Sequence, residues 1–294
     1  MTPTFFMFGF GYTATRFAQQ LVAQGFDVVG TTRQERKKIT NHSSAITLID
    51  FNASDIEYYL SKSTHILISV PPAAGFGDSV LSSYPELIRR YAGHIEWLGY
   101  LSSTGVYGDY QGDWVDEESI CRPLSSSGIL RMEAENSWLS YAKDHQLPLH
   151  IFRLAGIYGP ERNPLERIHT GKKYSIYKEE QVFSRIHVDD IASVLLASIK
   201  NPHPLSIYNV ADDEPAASHV VDAYASSLLK QPLLPLLSFE DASLSSKEQD
   251  FYLSNRRVSN AKIKMEFNIV LHFPSFREGL TRIWSDDFEQ KTRD

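Results

Sequence analysis

Phe8-Gly9-Phe10-Gly11-Tyr12-Thr13-Ala14 has the spacing GxGxxA, directly after the apolar run Phe5-Phe6-Met7-Phe8 and at the head of an amphipathic stretch, Thr13–Gln24. The apolar run reads as a buried strand and the stretch after it as a helix. In a strand–loop–helix of this kind Gly9 permits the tight turn, Gly11 lets backbone approach a pyrophosphate, and Ala14 keeps the helix close to the sheet. The helix N-terminus adds amide donors and the positive end of its dipole. Gly9, Phe10, Gly11, Tyr12 and Thr13 are therefore candidate dinucleotide-binding residues. The competing reading is a glycine turn that binds nothing.

Outward from this loop, short apolar runs alternate with amphipathic stretches. Phe26–Thr31, Ala45–Asp50, His65–Val70, Ile95–Ser102 and Leu149–Leu154 read as strands, and Tyr84–Tyr91 and Ser127–His145 as helices. The last carries Leu130, Ala134, Trp138 and Tyr141 on one face, the spacing of a buried stripe. Strands separated by helices indicate βαβ units and a parallel sheet. The expected class is α/β: a Rossmann doubly wound parallel sheet with a smaller, discontinuous C-terminal α/β lobe. The rhythm breaks after about Gly159, where Arg162–Gln181 is polar and rich in Gly, Lys and Tyr. The expected organisation is a core over 1–161, an excursion to the substrate lobe over 162–184, a return over 185–210, and a mainly lobe-forming 211–294. Ligands of such folds sit at the carboxyl ends of the strands, so the substrate is expected in a cleft between core and lobe.

The second strand ends Val29-Gly30-Thr31-Thr32-Arg33, with Arg36, Lys37 and Lys38 close behind. An NAD site usually places an acid there to accept from the ribose 2′-hydroxyl, whereas a basic end suits a 2′-phosphate, which arginine can hold bidentately. Thr32 and Arg33 are the candidates, Thr31 and Thr32 adding hydroxyl donors, and NADP is favoured over NAD. A solvated basic helix start is the alternative.

Composition narrows the function classes. The 294 residues are 42% apolar and 22% charged, suited to a globular protein with a sizeable core, and the formal charge is −7. A net acidic chain argues against general nucleic-acid or membrane-surface binding. The single cysteine, Cys121, excludes an internal disulfide and a cysteine-built metal cage. The N-terminus lacks the basic-then-apolar pattern of a signal peptide, and no apolar run approaches the roughly 20 residues of a membrane span, so a cytoplasmic location is expected. No metal-binding, Walker or nucleophile-elbow motif is present.

Five further segments carry a family resemblance. Leu101-Ser102-Ser103-Thr104-Gly105-Val106-Tyr107-Gly108 resembles the SSxxVYG signature of extended short-chain dehydrogenases/reductases, the NAD-dependent epimerase/dehydratase superfamily. Arg153–Pro160 looks like RxxNVYGP, Arg185–Ala192 like FIHVDDVA, Tyr208-Asn209-Val210 like YNV, and Arg257–Lys262 like KVDNSKA. The resemblance implies that Ser103 is the catalytic hydroxyl, hydrogen-bonded to the reacting substrate oxygen. Tyr107 is a reserve candidate as proton donor, more naturally read as a packing aromatic. By position in the family fold, Asp50 and Phe51 would meet the adenine, Ser69, Val70 and Pro71 would run beside the cofactor, and Leu154, Ala155 and Ile157 would complete its site. The family's dimerisation through two core helices makes Tyr84–Tyr91 and Ser127–His145 the candidate homodimer face.

The pattern breaks at the YxxxK helix. Ser127-Gly128-Ile129-Leu130-Arg131 fills that slot, with Ser127 for tyrosine and Arg131 for lysine. A tyrosine beside a cation can be tuned into a proton carrier, whereas a serine needs a separate base. Arginine can hold a ribose hydroxyl but stays protonated. With Tyr107–Gly112 and Val115-Asp116-Glu117, this break looks like the YeeZ-like branch of atypical members. The expected function is an NAD(P)-dependent oxidoreductase or epimerase-like enzyme acting on a small polar, sugar-derived substrate. The alternative is a catalytically silent NADP(H)-binding sensor. His187 with Asp189 and Asp190 could form a metal site or an acid–base pair, whereas the resemblance implies a structural role, the acids closing a strand and capping the following helix at Asp189 or Asp190. Asp113, Asp116, Glu117 and Glu118 read as a cleft-covering or solvated acidic loop.

Overall fold

The computed structural model describes residues 3–33 and 45–289. Arg36, Lys37 and Lys38 lie outside the described residues. The first elements are β1 (Thr4–Phe8), α1 (Tyr12–Ala23), β2 (Asp27–Thr32), β3 (Ile46–Asp50), α2 (Ile56–Leu60), β4 (Ser63–Ile68), α3 (Ser79–Ser83), α4 (Pro85–Tyr91) and β5 (Trp97–Ser103). There follow β6 (Trp114–Val115), α5 (Ser126–His145), β7 (Leu149–Leu154), β8 (Gly156–Tyr158), α6 (Pro164–His169), β9 (Ser175–Tyr177), β10 (Arg185–His187), α7 (Val188–Lys200) and β11 (Ser206–Val210). The chain continues through α8 (Ser218–Leu228), β12 (Leu236–Ser238), α9 (Ser246–Tyr252), β13 (Arg257–Val258), α10 (Ala261–Phe267) and α11 (Phe276–Asp287).

Seven strands form one sheet in the order β11-β7-β5-β4-β1-β2-β3, and the pairs β2–β3, β1–β2, β1–β4 and β4–β5 are parallel. The order reverses direction at β1 and β4, the switch point at which α/β sheets bind ligands. This is the doubly wound parallel sheet expected from the sequence. Successive side chains of β1 point to opposite faces. Phe6 and Phe8 join a core cluster with Ile56, Ile88, Ala134 and Trp138 from α2, α4 and α5. Phe5 faces the other way, its ring centroid 5.4 Å from that of Phe17 on α1.

The chain divides into two compact units. One comprises Met1–Ser103, Ile129–Arg153 and Ile191–Tyr208, and the other Thr104–Gly128, Leu154–Asp190 and Asn209–Asp294. The second unit has its own core, in which Tyr158, Leu165 and Ile168 pack with Val221 and Ala225 of α8 and Phe276, Leu280 and Ile283 of α11. Its strands pair in twos: β8 with β10, β9 with β12, and β6 with β13.

His150 on β7 is fully buried, stacked near Trp97, Phe152 and Tyr208, with Nε2 accepting the His203 amide at 2.9 Å. Burial pushes its pKa down from 6.5 to about 4. Below pH 6.5 the unfolded chain takes up a proton that the native chain refuses until about pH 4, so stability falls as pH drops through that window and this loss levels off beneath it. The expected loss is about 3 kcal/mol. Urea unfolding of wild type and His150→Gln across pH 7 to 4 checks this: the variant should show the shallower fall, and parallel curves would refute the assignment.

Candidate active site

The glycine loop is built by its neighbours. Gly9 sits at φ +90°, and a Cβ added there would come within 2.9 Å of Ser69 Oγ and Val70 Cγ2. Its amide donates to Thr31 Oγ1 at 2.8 Å, and Ser69 Oγ donates to the Gly9 carbonyl at 2.8 Å. Phe10 lies over Gly30 of β2, where any added Cβ would clash with its ring. The loop is thus clamped from β2 and β4. Ser69, expected beside a cofactor, spends its hydroxyl on holding the turn. Thr31, expected with Thr32 as a hydroxyl donor to a 2′-phosphate, does the same from the other side.

Gly11 differs. It precedes α1 as its N-cap at φ −95°, with no capping side chain and no acid in the first turn. Among the described residues beyond its chain neighbours, a Cβ added at Gly11 meets nothing within 4 Å. The loop therefore leaves open space at a helix N-terminus, the geometry that admits a phosphate group. The residues present fit a dinucleotide.

Around this loop, Thr32 is half-buried and Arg33 exposed at the end of β2. Asp50 lies across from Thr32 in register, with Oδ1 accepting the Asn52 amide. Phe51 packs against Phe8 and Tyr84, and its carbonyl accepts the Tyr84 hydroxyl. Pro71 is exposed.

Phe8 lies opposite Ile68, and Ile68 opposite Tyr100, so the ends of β1, β4 and β5 share one edge of the sheet. Ser103 terminates β5 on that edge, half-buried. Arg131 Nη1 donates to the Leu101 carbonyl at 2.6 Å, with the Tyr100 hydroxyl 3.4 Å away. The guanidinium is thereby fixed against the strand that carries Ser103. Tyr100 is fully buried, and burial pushes its pKa well up, which disqualifies this phenol as a proton carrier.

Asp78, which the sequence reading passed over, caps α3 by accepting the Val80 and Leu81 amides at 3.0 and 2.9 Å. Burial raises its pKa, an effect opposed by those amides, by the Trp138 indole and by the charge of Arg131. A second group missed in the sequence lies behind Arg131. Glu135 accepts from Arg153 Nε and Nη2, the latter at 2.8 Å, and from Ser102 Oγ at 2.5 Å. Glu135, Arg153 and Ser102 are 2, 5 and 4% exposed. Its only sequence signal was the i, i+4 spacing of Arg131 and Glu135, which puts both on one helix face.

The other expected residues belong to the second unit. Tyr107 is fully buried and donates its hydroxyl to Asn209 Oδ1 at 2.7 Å. Ser127 is exposed, its Oγ 3.2 Å from Ser125 Oγ. Gly128 admits no side chain, since a Cβ would stand 2.8 Å from the Gly105 carbonyl. Leu154 and Ala155 are buried, Ala155 donating its amide to the Val210 carbonyl, and Ile157 is half-buried on β8.

In the acidic run Asp113, Asp116 and Glu118 are exposed, as a solvated loop would be, and Glu117 is half-buried. Glu117 Oε1 accepts the Asn209 amide at 2.7 Å, and burial raises its pKa. His187 is buried against Tyr158 and Phe273, its Nδ1 accepting the Asp189 amide. Contrary to the capping expectation, Asp190 lies inside the first turn of α7 and accepts the His272 and Phe273 amides at 2.7 and 3.0 Å. From the first turn of α7 its carboxylate thus holds the 272–273 loop. Among the described residues no group of His, Cys, Asp and Glu could hold a metal ion, and no helix is long and apolar enough to cross a membrane.

Comparison with known proteins agrees with this architecture. A functionally unknown conserved protein from Silicibacter pomeroyi DSS superposes with a TM-score of 0.91 at 41% identity, covering 97% of this chain and 99% of that one. The dTDP-glucose 4,6-dehydratase from Bacillus anthracis str. Ames in complex with NAD superposes with a TM-score of 0.79 at 19% identity, covering 98% of each chain. Among curated relatives, an uncharacterised UDP-glucose epimerase of Bacillus subtilis is 24% identical over 140 residues, 45% of this chain and 43% of that one. An ADP-L-glycero-D-manno-heptose-6-epimerase of Brachyspira hyodysenteriae is 23% identical over 169 residues, 52 and 53% of the two chains. The chain thus spans about half the length of these curated relatives. The model of the NAD dependent epimerase/dehydratase family matches residues 8–211, from the end of β1 through β11, and the chain belongs to that family.

Proposed function

We propose that this chain is an NAD(P)-dependent oxidoreductase or epimerase acting on a sugar nucleotide. The observation that carries the reading is the clamped loop that leaves open space at Gly11, at the head of α1, on the sheet edge that Ser103 shares. Relatives named for UDP-glucose and for ADP-heptose support the substrate class. Gly9, Phe10, Gly11, Tyr12 and Thr13 hold the pyrophosphate of the dinucleotide, Thr32 and Arg33 its adenosine ribose, and Asp50 and Phe51 its adenine. The absence of an acid at the end of β2, with Arg33 there instead, favours NADP. The nicotinamide supplies a hydride acceptor and donor when bound.

Ser103 Oγ donates to the reacting oxygen of the sugar, and Arg131, held by the Leu101 carbonyl, keeps a fixed positive charge beside the end of β5. Neither Tyr100 nor Tyr107 has a hydroxyl placed to move a proton, because one is deeply buried and the other is donated to Asn209. Water is the proton's source and sink.

The test is a panel of UDP-, dTDP- and ADP-sugars with each of NADP⁺ and NAD⁺, followed by absorbance of the reduced cofactor and by product analysis. Turnover is expected, and Ser103→Ala should cost about 10²–10³ in kcat/KM, the effect of losing one donor to a developing oxyanion. An unchanged rate in Ser103→Ala removes the serine from the mechanism. Tight dinucleotide binding with no turnover across the panel replaces the enzyme by a dinucleotide-reading sensor.

A further inference from the structure

Within the second unit a cavity of about 480 Å³ is lined by Trp114, Val115, Asp116, Asp212, Asp213, Ser259 and Asn260. Three separate stretches build it: β6 and the turn after it, the residues following β11, and those following β13. None of these residues belongs to the site described above. Its volume suits a small molecule.

The lining carries three carboxylates. Asp213 is paired with Lys264 and also accepts from Asn260 Nδ2, and Asp116 Oδ1 is engaged by the Glu118 amide and Ser119 Oγ. Asp212 is 1% exposed, and among the described residues it receives only the Glu214 amide, at 3.3 Å on Oδ1, with no hydrogen-bond partner at Oδ2. The buried cation nearest in charge, Arg185, directs its Nη1 to the Phe183 and Ala216 carbonyls, while its own carbonyl accepts the Asp212 amide. Burial pushes the Asp212 carboxyl well above the usual carboxylate range. A buried carboxyl oxygen without a partner is costly and rare in native proteins, and it calls for a donor that the described residues do not supply, one whose positive charge would restore the ionised form. Trp114 is the second anomaly. It is 57% exposed on a two-residue strand whose other side chain, Val115, is buried. An indole beside carboxylates is the arrangement that binds an organic ammonium by cation–π contact.

We propose that this cavity is a second ligand site, for a small hydroxylated amine of amino-sugar type. Asp212 takes the ammonium, Trp114 covers it, and Ser259 and Asn260 meet its hydroxyls. The surplus of carboxylates excludes phosphorylated and carboxylated ligands, so the site is separate in chemistry from one that holds a dinucleotide or a sugar nucleotide. Among the described residues no three or more His, Cys, Asp or Glu converge closely enough to hold a metal ion, so these carboxylates favour an organic cation.

The experiment is calorimetric titration of the full chain with glucosamine, N-acetylglucosamine and glucose. Glucosamine should bind with a dissociation constant of about 1 mM or tighter, and the two neutral sugars at least about tenfold more weakly, because they lack the ammonium. Trp114→Ala, at an exposed position that should not disturb folding, should weaken glucosamine at least about fivefold, and Asp212→Asn more. Gly11→Val, aimed at the dinucleotide loop, should leave glucosamine binding unchanged. Equal affinity for glucose and glucosamine, no binding, or loss of glucosamine binding in Gly11→Val would each overturn the proposal.

Discussion

Glu135→Ala is expected to lower unfolding stability by about 3–5 kcal/mol, the usual cost of removing one partner of a buried ion pair. Glu135 and Arg153 are almost wholly inside the first unit, and the carboxylate receives two guanidinium nitrogens and the Ser102 hydroxyl. Deleting the carboxylate leaves a guanidinium in a low-dielectric interior without its counter-charge, and leaves a buried hydroxyl to find a new acceptor. Glu135→Gln keeps the shape but not the charge, and should fall between wild type and alanine. The double variant Glu135→Leu/Arg153→Met removes both charges and should recover most of the loss, since well-packed apolar replacements of buried pairs are often neutral. Urea unfolding midpoints of the four proteins decide the matter. A loss below about 1 kcal/mol in Glu135→Ala would mean that the pair is solvated and contributes as a surface pair does.

That pair also shows where reading the sequence ran out. Local patterns were legible. The Ala134 and Trp138 stripe buried the face of α5 that its spacing required, and the strands of the sheet stand within a few residues of the apolar runs that announced them. Periodicity reports one element's relation to the core, so it succeeds where a single face is buried. Glu135 meets Arg153 across 18 residues and Ser102 across 33, and nothing local marks which polar residue of a helix will be drawn inside.

The second unit was harder for the same reason. Strand β6 is two residues long, and its partner β13 lies more than 140 residues later, so neither produces a countable alternation. The polar segment Arg162–Gln181 hides α6 and β9: the one buried residue of β9, Ser175, donates to the carboxylate of Asp222 on α8, which also takes Lys172, so no apolar alternation marks the strand. In the candidate active site the glycine spacing marked the loop, but the side chains that clamp it, Thr31 and Ser69, are ordinary strand-end residues in sequence.

Gly11→Val should abolish dinucleotide binding while leaving the fold intact, and the contrast with Gly9→Ala makes the result interpretable. At Gly9 a Cβ collides with Ser69 and Val70, and φ of +90° disfavours any side chain, so that substitution damages the loop itself. At Gly11 φ is −95°, and among the described residues beyond its chain neighbours nothing lies within 4 Å of an added Cβ. What it fills is the room in front of the α1 N-terminus, where a pyrophosphate would otherwise meet the amides. Valine is a poorer N-cap than glycine, so the unfolding midpoint of Gly11→Val should fall by only about 2–4 °C, a cost of about 1 kcal/mol in a chain of this length. Its affinity for NADPH and NADH in calorimetric titration should fall at least about 100-fold, since displacing the pyrophosphate removes several charge-assisted hydrogen bonds at once. Gly9→Ala should lose both stability and affinity. If Gly11→Val binds either cofactor as wild type does, the open space in front of α1 does not hold the pyrophosphate. The assignment of Gly9 to Thr13 then fails, whatever chemistry Ser103 performs.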